Sequence, residues 1–161
     1  SARPLSRYWL QRVITAREED LVETGPPNTL ADLEAYAEST QSALLYLQLE
    51  AAGIKDKNAD HAASHLGKAV GLATLLRGMP HHAQARRCYY PVELLAKHKF
   101  SQEDLYAGKS SDALKDATLS IAGAAKAHLD EARALCAAMP AEARPLMLGA
   151  IPCRLFLDAL Q

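Results

Sequence analysis

Apolar residues recur along most of the chain at intervals of three, four and seven, the repeat that lays one stripe down an α-helix. Leu10, Val13, Ile14 and Leu21 follow it, which predicts a helix over residues 6–20 with a buried stripe that Trp9 widens. Gly25-Pro26-Pro27-Asn28 ends that helix. Thr29 followed by Asp32 reads as an N-cap with a first-turn acid, opening a second helix that runs to about Glu50 and stops at Gly53. Its core stripe would be Leu33, Ala37, Thr40, Leu44 and Leu47. Asn58 or Asp60 can cap a third helix reaching Arg77, with Ala62, Leu66, Ala69, Ala73 and Leu76 on one face.

Gly67 and Gly71 lie one turn apart in that third helix. Glycine costs up to about 1 kcal/mol against alanine inside a helix, so the pair implies close approach of another helix or of a ligand. Residues 78–88 read as a loop rich in His and Arg, and Pro91 opens a short helix to about His98. Ser101 caps a further short turn, with Glu103 and Asp104 near its positive end. The longest pattern runs from Ser111 to Met139 through Leu114, Ala117, Ile121, Ala125, His128, Ala132 and Leu135. A last helix over residues 141–160 contains Pro145 and Pro152, which predict a kink or a break.

The composition strengthens the helical reading: 31 Ala and 25 Leu stand against 4 Val and 4 Ile, so strong helix formers dominate and β-branched strand formers are scarce. The fold class is all-α. With 49% hydrophobic and 23% charged residues, residues 1–161 fit one soluble globular domain. A net charge of −1 makes nucleic acid an unattractive partner. No apolar run approaches the roughly 20 residues of a transmembrane helix, so any membrane contact would be peripheral. Cys88, Cys136 and Cys153 are odd in number and widely spaced, which argues against a disulfide framework or a zinc knuckle and for a reducing compartment. The acid-free start, Ser1 to Arg7, is what a remnant beside an organelle-targeting segment looks like.

Few constellations could do chemistry. His61 and His65 lie four apart beside Asp60, a spacing that can present two imidazoles to one metal ion. They lack a Glu next to the first His and a third ligand in sequence, and solvated or hydrogen-bonded structural histidines are the simpler reading; no metal is assigned. Arg77, Arg86 and Arg87, followed by Tyr89 and Tyr90, could bind a diphosphate through bidentate guanidinium contacts, or could be a solvated loop end with two aromatic anchors. Cys88 sits beside those arginines with no base to activate it and reads as structural.

From Leu33 to Leu105 the chain resembles the squalene and phytoene synthase family of all-α prenyltransferases. The resemblance rests on Tyr36-Ala37 with a helix ending at Gly53, on the run from Gly67 to Arg77, and on Arg87 to Pro91. It continues through Glu93-Leu94-Leu95 and Ser101 to Leu105. The enzymes of this family read G-x-A-x-Q-x-T-N-I-L-R-D-x-x-E-D along the corresponding helix. Their carboxylates hold Mg²⁺ ions that grip and ionise a prenyl diphosphate. Here Gly78-Met79-Pro80-His81-His82 stands where D-x-x-E-D is called for, so the motif is degenerate at Gly78, His81 and His82. Gly71 and Thr74 replace the family glutamine and asparagine. Imidazole is a poor ligand for Mg²⁺, so the resemblance implies a pseudoenzyme without catalytic residues or cofactor. Arg77, Arg87 and Tyr89 match family positions that face the diphosphate, and with Arg86 they are the candidates for a vestigial diphosphate site.

The runs 36–47, 59–65 and 101–104 look most like a non-catalytic mitochondrial branch of that family. That likeness implies a scaffold for complex I assembly, or an accessory subunit of a large mitochondrial complex, in the matrix or on the matrix face of the inner membrane. Its partners would be complex I subunits or assembly intermediates. The alternatives are an isoprenoid or lipid carrier that uses the old substrate cavity and an active Mg-dependent prenyltransferase. The resemblance also implies an isoprenoid-synthase-like bundle lacking its N-terminal helices, with the first aspartate-rich motif upstream of Ser1. Apolar faces would then be uncovered, and exposed apolar residues of the helix from Ser111 to Met139 are the candidate partner surface.

Overall fold

The computed structural model describes residues 5–160. Among these residues every regular element is helical. They are α1 (Arg7–Val22), α2 (Leu30–Ala37), a π turn (Glu38–Ser42), α3 (Ala43–Ala52), α4 (Lys57–Gln84), α5 (Val92–His98), α6 (Gln102–Tyr106) and α7 (Asp112–Leu135). A 3₁₀ segment (Ala141–Met147) and α8 (Ala150–Ala159) complete the chain. The expected targeting remnant lies mostly outside the described residues.

The long α4 is the centre of the molecule. Its predicted face, Ala62, Leu66, Ala69, Ala73 and Leu76, is buried throughout, and so are Leu72, Leu75 and Met79 around the cylinder. A helix buried on several sides must be surrounded, and α7 supplies the largest partner surface through Ala117, Ile121, Ala125, Leu129 and Ala132. The small residues of this seam let the two helix backbones approach closely.

On another side, α2 to α3 cross α4 at the two glycines. A β-carbon at Gly67 would overlap the backbone of Ser42, and one at Gly71 would lie 2.5 Å from the β-carbon of Ala37. The close approach predicted from the glycine pair is therefore helix against helix. Ser42 completes the contact by donating its hydroxyl to the Ser64 carbonyl at 2.9 Å.

The caps follow the sequence with one exception. Thr29 and Asp32 form a reciprocal box, and Ser101 and Ser111 accept from Asp104 N and Leu114 N at 3.1 Å each. Gly53, at φ +73°, closes α3 in the left-handed conformation that glycine tolerates best. The cap of α4 is Asp56, which accepts from Ala59 N at 2.8 Å, rather than Asn58 or Asp60.

Four expectations need correction. The second helix is interrupted by the π turn, whose extra residue per turn rotates the stripe that follows; Leu44 is exposed while Ala43 and Leu47 are buried. Residues 78–84, expected in a loop, continue α4, because Met79 and Ala83 extend the buried spacing beyond Leu75 and Leu76 and outweigh the N–H lost at Pro80. The positive φ of Arg86, 55°, marks the turn out of the helix. On α1 only Ala16 is buried, and the expected stripe of Leu10, Ile14 and Leu21 is exposed. The long helix ends at Leu135, ahead of Met139.

The last stretch breaks as predicted. The 3₁₀ segment holds Pro145, and Pro152 falls in the first turn of α8, where a missing N–H has no intrahelical acceptor to leave unpaired.

Candidate functional site

The predicted basic cluster separates in the structure. Arg87 and Tyr89 stay together, whereas Arg86 turns to Glu103, 2.6 Å away, and lies over the Tyr106 ring. Arg77 is exposed on α4 and has no side-chain partner among the described residues. Gly78 and His82 lie one turn apart on α4, and a β-carbon at Gly78 would sit 2.8 Å from His82 Nε2. The His82 ring meets Tyr89 edge-on at 4.8 Å, and His81 is exposed. Burial, then His81, lowers the His82 pKa, with Arg87 lowering it further against an opposing pull from Asp20.

What gathers Arg87 and Tyr89 is a carboxylate on α1. Arg87 Nη2 donates to Asp20 Oδ1 at 2.7 Å and to the Asp20 backbone oxygen at 2.6 Å. Tyr89 OH lies 3.0 Å from both carboxylate oxygens, and Tyr36 OH donates to Oδ2 at 3.1 Å. Arg17 then donates to Tyr36 OH at 2.7 Å. Burial and the Asp20 charge push the Tyr36 hydroxyl up to about 12, and burial with the Asp20 hydrogen bond raises Tyr89, so both phenols remain protonated donors at neutral pH. The Arg87–Asp20 pair is only about one-fifth exposed on each side, so solvent screens it less than a surface bridge.

This cluster borders an open pocket of about 410 Å³ under α1, with Tyr36 and Tyr89 among its lining and Glu19, Asp20, Glu23 and Asp32 around it. An arriving anion would meet those carboxylates and a guanidinium already engaged by Asp20. Sequence reading missed Asp20 entirely. The one signal it carried was an acid at the end of the first helix, beside the last apolar position, Leu21.

A second network lies on the π turn. Glu38 accepts from Tyr46 OH at 2.7 Å and from Ser64 Oγ at 3.0 and 3.1 Å, and Lys68 Nζ stands 3.1 Å away. Burial alone would raise the Glu38 carboxyl, but the bonds from Tyr46, Lys68 and Ser64 and the Lys68 charge hold it below its ordinary value. The anion is thereby stabilised between α2, α3 and α4.

His61 and His65 remain one turn apart on α4, with ring centroids separated by 5.4 Å. A third histidine, missed as a partner, comes from α7: His128 Nδ1 lies 2.9 Å from His65 Nδ1. Its signal was present, because His128 occupies a stripe position in an otherwise apolar pattern. Cys88 and Cys153 are buried free thiols, and burial raises both pKa values, Cys153 to about 11, which fits structural roles.

Taken together, these features define the class: an all-α bundle of the prenyl-synthase type, built around one central helix, α4. The chain belongs to the squalene/phytoene synthase family, whose sequence pattern matches residues 1–161. Among solved structures, the squalene synthase HpnC from Alicyclobacillus acidocaldarius superposes with a TM-score of 0.87 at 22% identity over 96% of this chain and 59% of that one, which shows the fold.

Among the curated relatives is the rat (Rattus norvegicus) protein NADH dehydrogenase (ubiquinone) complex I, assembly factor 6. It is 41% identical over 157 residues, 98% of this chain and 47% of the relative. The Drosophila melanogaster homologue of that factor is 41% identical over 161 residues, 99% of this chain and 48% of the relative. The chain thus spans about half the length of the curated relatives it matches.

Proposed function

We propose that the chain acts as a non-catalytic, prenyl-synthase-like scaffold in the assembly of mitochondrial complex I, working in the matrix or on the matrix face of the inner membrane. The observation that carries this reading is the turn of α4 where family enzymes place D-x-x-E-D. It carries Gly78, Met79, Pro80, His81 and His82, and the His82 ring fills the space beside Gly78 and rests against Tyr89. The lowered pKa of His82 favours a neutral imidazole there, a poor partner for Mg²⁺ and without charge to offset a departing diphosphate. The assembly-factor relatives, at 41% identity across nearly the whole chain, support the scaffold role and the mitochondrial setting.

In this reading Arg87 and Tyr89 are what the fold keeps of the vestigial diphosphate site, with Asp20 in the anion's place; Arg77 and Arg86 have left it. A single domain covering residues 1–161 is part of the same proposal.

The deciding experiment uses the full-length protein in two arms. Cells lacking it are expected to lose mature complex I on native gels and to regain it with the wild-type protein, which should co-purify with complex I subunits or subassemblies. The purified full-length protein, given prenyl diphosphates and Mg²⁺, is expected to release no pyrophosphate. Metal-dependent release would instead establish a prenyltransferase. Unchanged complex I together with a co-purified isoprenoid would establish a carrier.

A further inference from the structure

Three imidazoles stand in a row outside the Asp20 cluster. His61 and His65 share one face of α4, and His128 reaches them from α7, with centroid separations of 5.4 and 5.1 Å between successive rings. The His65 and His128 Nδ1 atoms are 2.9 Å apart. On the far side of its ring, His128 Nε2 lies 3.3 Å from Glu34 Oε1 on α2. Both inner histidines are half-buried, His128 with only 16% of its side chain exposed.

For two neutral rings the Glu34 carboxylate selects the tautomers. If His128 gives its Nε2 proton to Glu34, its Nδ1 is a lone pair, and His65 must donate through Nδ1–H to fill it. The contact is held by one shared proton. Tetrahedral Zn²⁺ binds imidazole nitrogen at about 2.0–2.1 Å, so two neighbouring ligands on one ion stand about 3.3 Å apart. Side-chain rotation that opens the nitrogen pair from 2.9 Å toward that separation and turns both lone pairs onto one ion needs no movement of the helices. The Glu34 contact is the outer carboxylate that orients a ligating histidine and raises its basicity.

We propose that His65 and His128 chelate a divalent transition metal of the imidazole-seeking kind, with Zn²⁺ as its representative, between α4 and α7, with Glu34 as the orienting carboxylate. On binding, the proton on His65 Nδ1 moves to Nε2 of the same ring, so two neutral imidazoles take up the metal without net proton release. Among the described residues no three or more His, Cys, Asp or Glu side chains are already gathered for a metal. Water therefore fills the open positions, and exposed His61 can enter as a third ligand by side-chain rotation. Burial, then the charges of His128, His61 and Lys68, lower the His65 pKa against a raising effect of Glu131. The neutral ring that a metal requires is thus the resting state at neutral pH.

The test is calorimetric titration of the metal-free, untagged chain with Zn²⁺, with Mg²⁺ as control. One Zn²⁺ per chain is expected at micromolar concentration, with no saturable Mg²⁺ binding. His65→Ala and His128→Ala should each weaken Zn²⁺ at least tenfold, and Glu34→Gln about tenfold. His61→Ala should have a smaller effect. Should the alanine variants fail to fold, ¹⁵N-histidine NMR of the wild type decides: Zn²⁺ must shift the Nδ1 signals of two rings into the metal-bound range. Absence of saturable Zn²⁺ binding overturns the proposal. So does binding that folded His65→Ala and His128→Ala retain, or NMR shifts confined to the other histidines.

Discussion

The seam between α4 and α7 and the docking of α1 show two ways of joining helices in one small protein. The seam is made of Ala and Leu with Ile121 at its centre, almost all buried, and among the described residues its hydrogen bond is the histidine pair. By contrast, α1 buries Ala16 alone, leaves Leu21 and Val22 76% and 81% exposed, rests Trp9 on the Tyr46 ring at 4.5 Å, and is otherwise joined by polar bonds. These are the Arg87–Asp20 pair, the two tyrosines on Asp20, Arg12 to Ser39, and the backbone of Ser6 to Glu50. Burial is non-directional and grows with area, so it makes a rigid seam. Hydrogen bonds to a carboxylate set position with little area, so they hold α1 in place while leaving its apolar face open. Among proteins, open apolar surface of that kind marks interaction sites.

Substitutions can break this comparison in order of size. Ile121→Ala, which opens a cavity at the seam, is expected to cost about 3–4 kcal/mol in urea unfolding. A loss below about 1 kcal/mol would mean that the seam is loosely packed. Gly67→Ala forces a β-carbon into the Ser42 backbone and should cost about 3 kcal/mol, whereas Gly123→Ala, with open space around it, should be neutral or stabilising. Arg87→Ala strips the Asp20 carboxylate of its charged partner and is expected to cost about 2 kcal/mol. In thermal unfolding, pyrophosphate should raise the melting temperature of Asp20→Asn more than that of wild type, and Arg87→Ala should abolish the rise.

A smaller effect belongs to pH. His65 and His82 both titrate below their ordinary 6.5, so between those lowered values and 6.5 the unfolded chain binds more protons than the folded one. Stability should therefore fall as pH is lowered through that window. Melting temperatures at pH 7.5 and 5.5 are expected to differ less in His65→Gln than in wild type, with His82 supplying the remainder. Smallest of all, Leu21→Gln on the open face of α1 should change stability by less than about 0.5 kcal/mol. A loss rivalling that of Ile121→Ala would show that α1 is covered in solution.

The legible parts of this protein were those governed by neighbours in sequence. The caps at Thr29, Ser101 and Ser111, the stop at Gly53, the break near Pro145 and the buried faces of α4 and α7 all depend on residues within a turn or two of each other. The illegible parts were those decided at a distance. Residues 78–84 look like a loop because Gly78 and Pro80 disfavour helix locally, yet burial of Met79 and Ala83 carries α4 through them. The candidate site was half visible: Arg87 and Tyr89 are two residues apart in the chain, but Asp20, 67 residues from Arg87, is what pairs with them.

The sequence by itself determined that the chain is helical, where most helices begin and end, and that the metal-gripping carboxylates of its family are absent from residues 78–82. Those are matters of residue type and short spacing, on which periodicity, capping and ligand chemistry act directly. Only the tertiary structure decided which face of α1 stays open, that the glycine pair receives the backbone near Ser42, and that Asp20 and His128 complete clusters begun elsewhere. Each depends on the distance between groups far apart along the chain, which is set by the packing of whole helices and by no local rule.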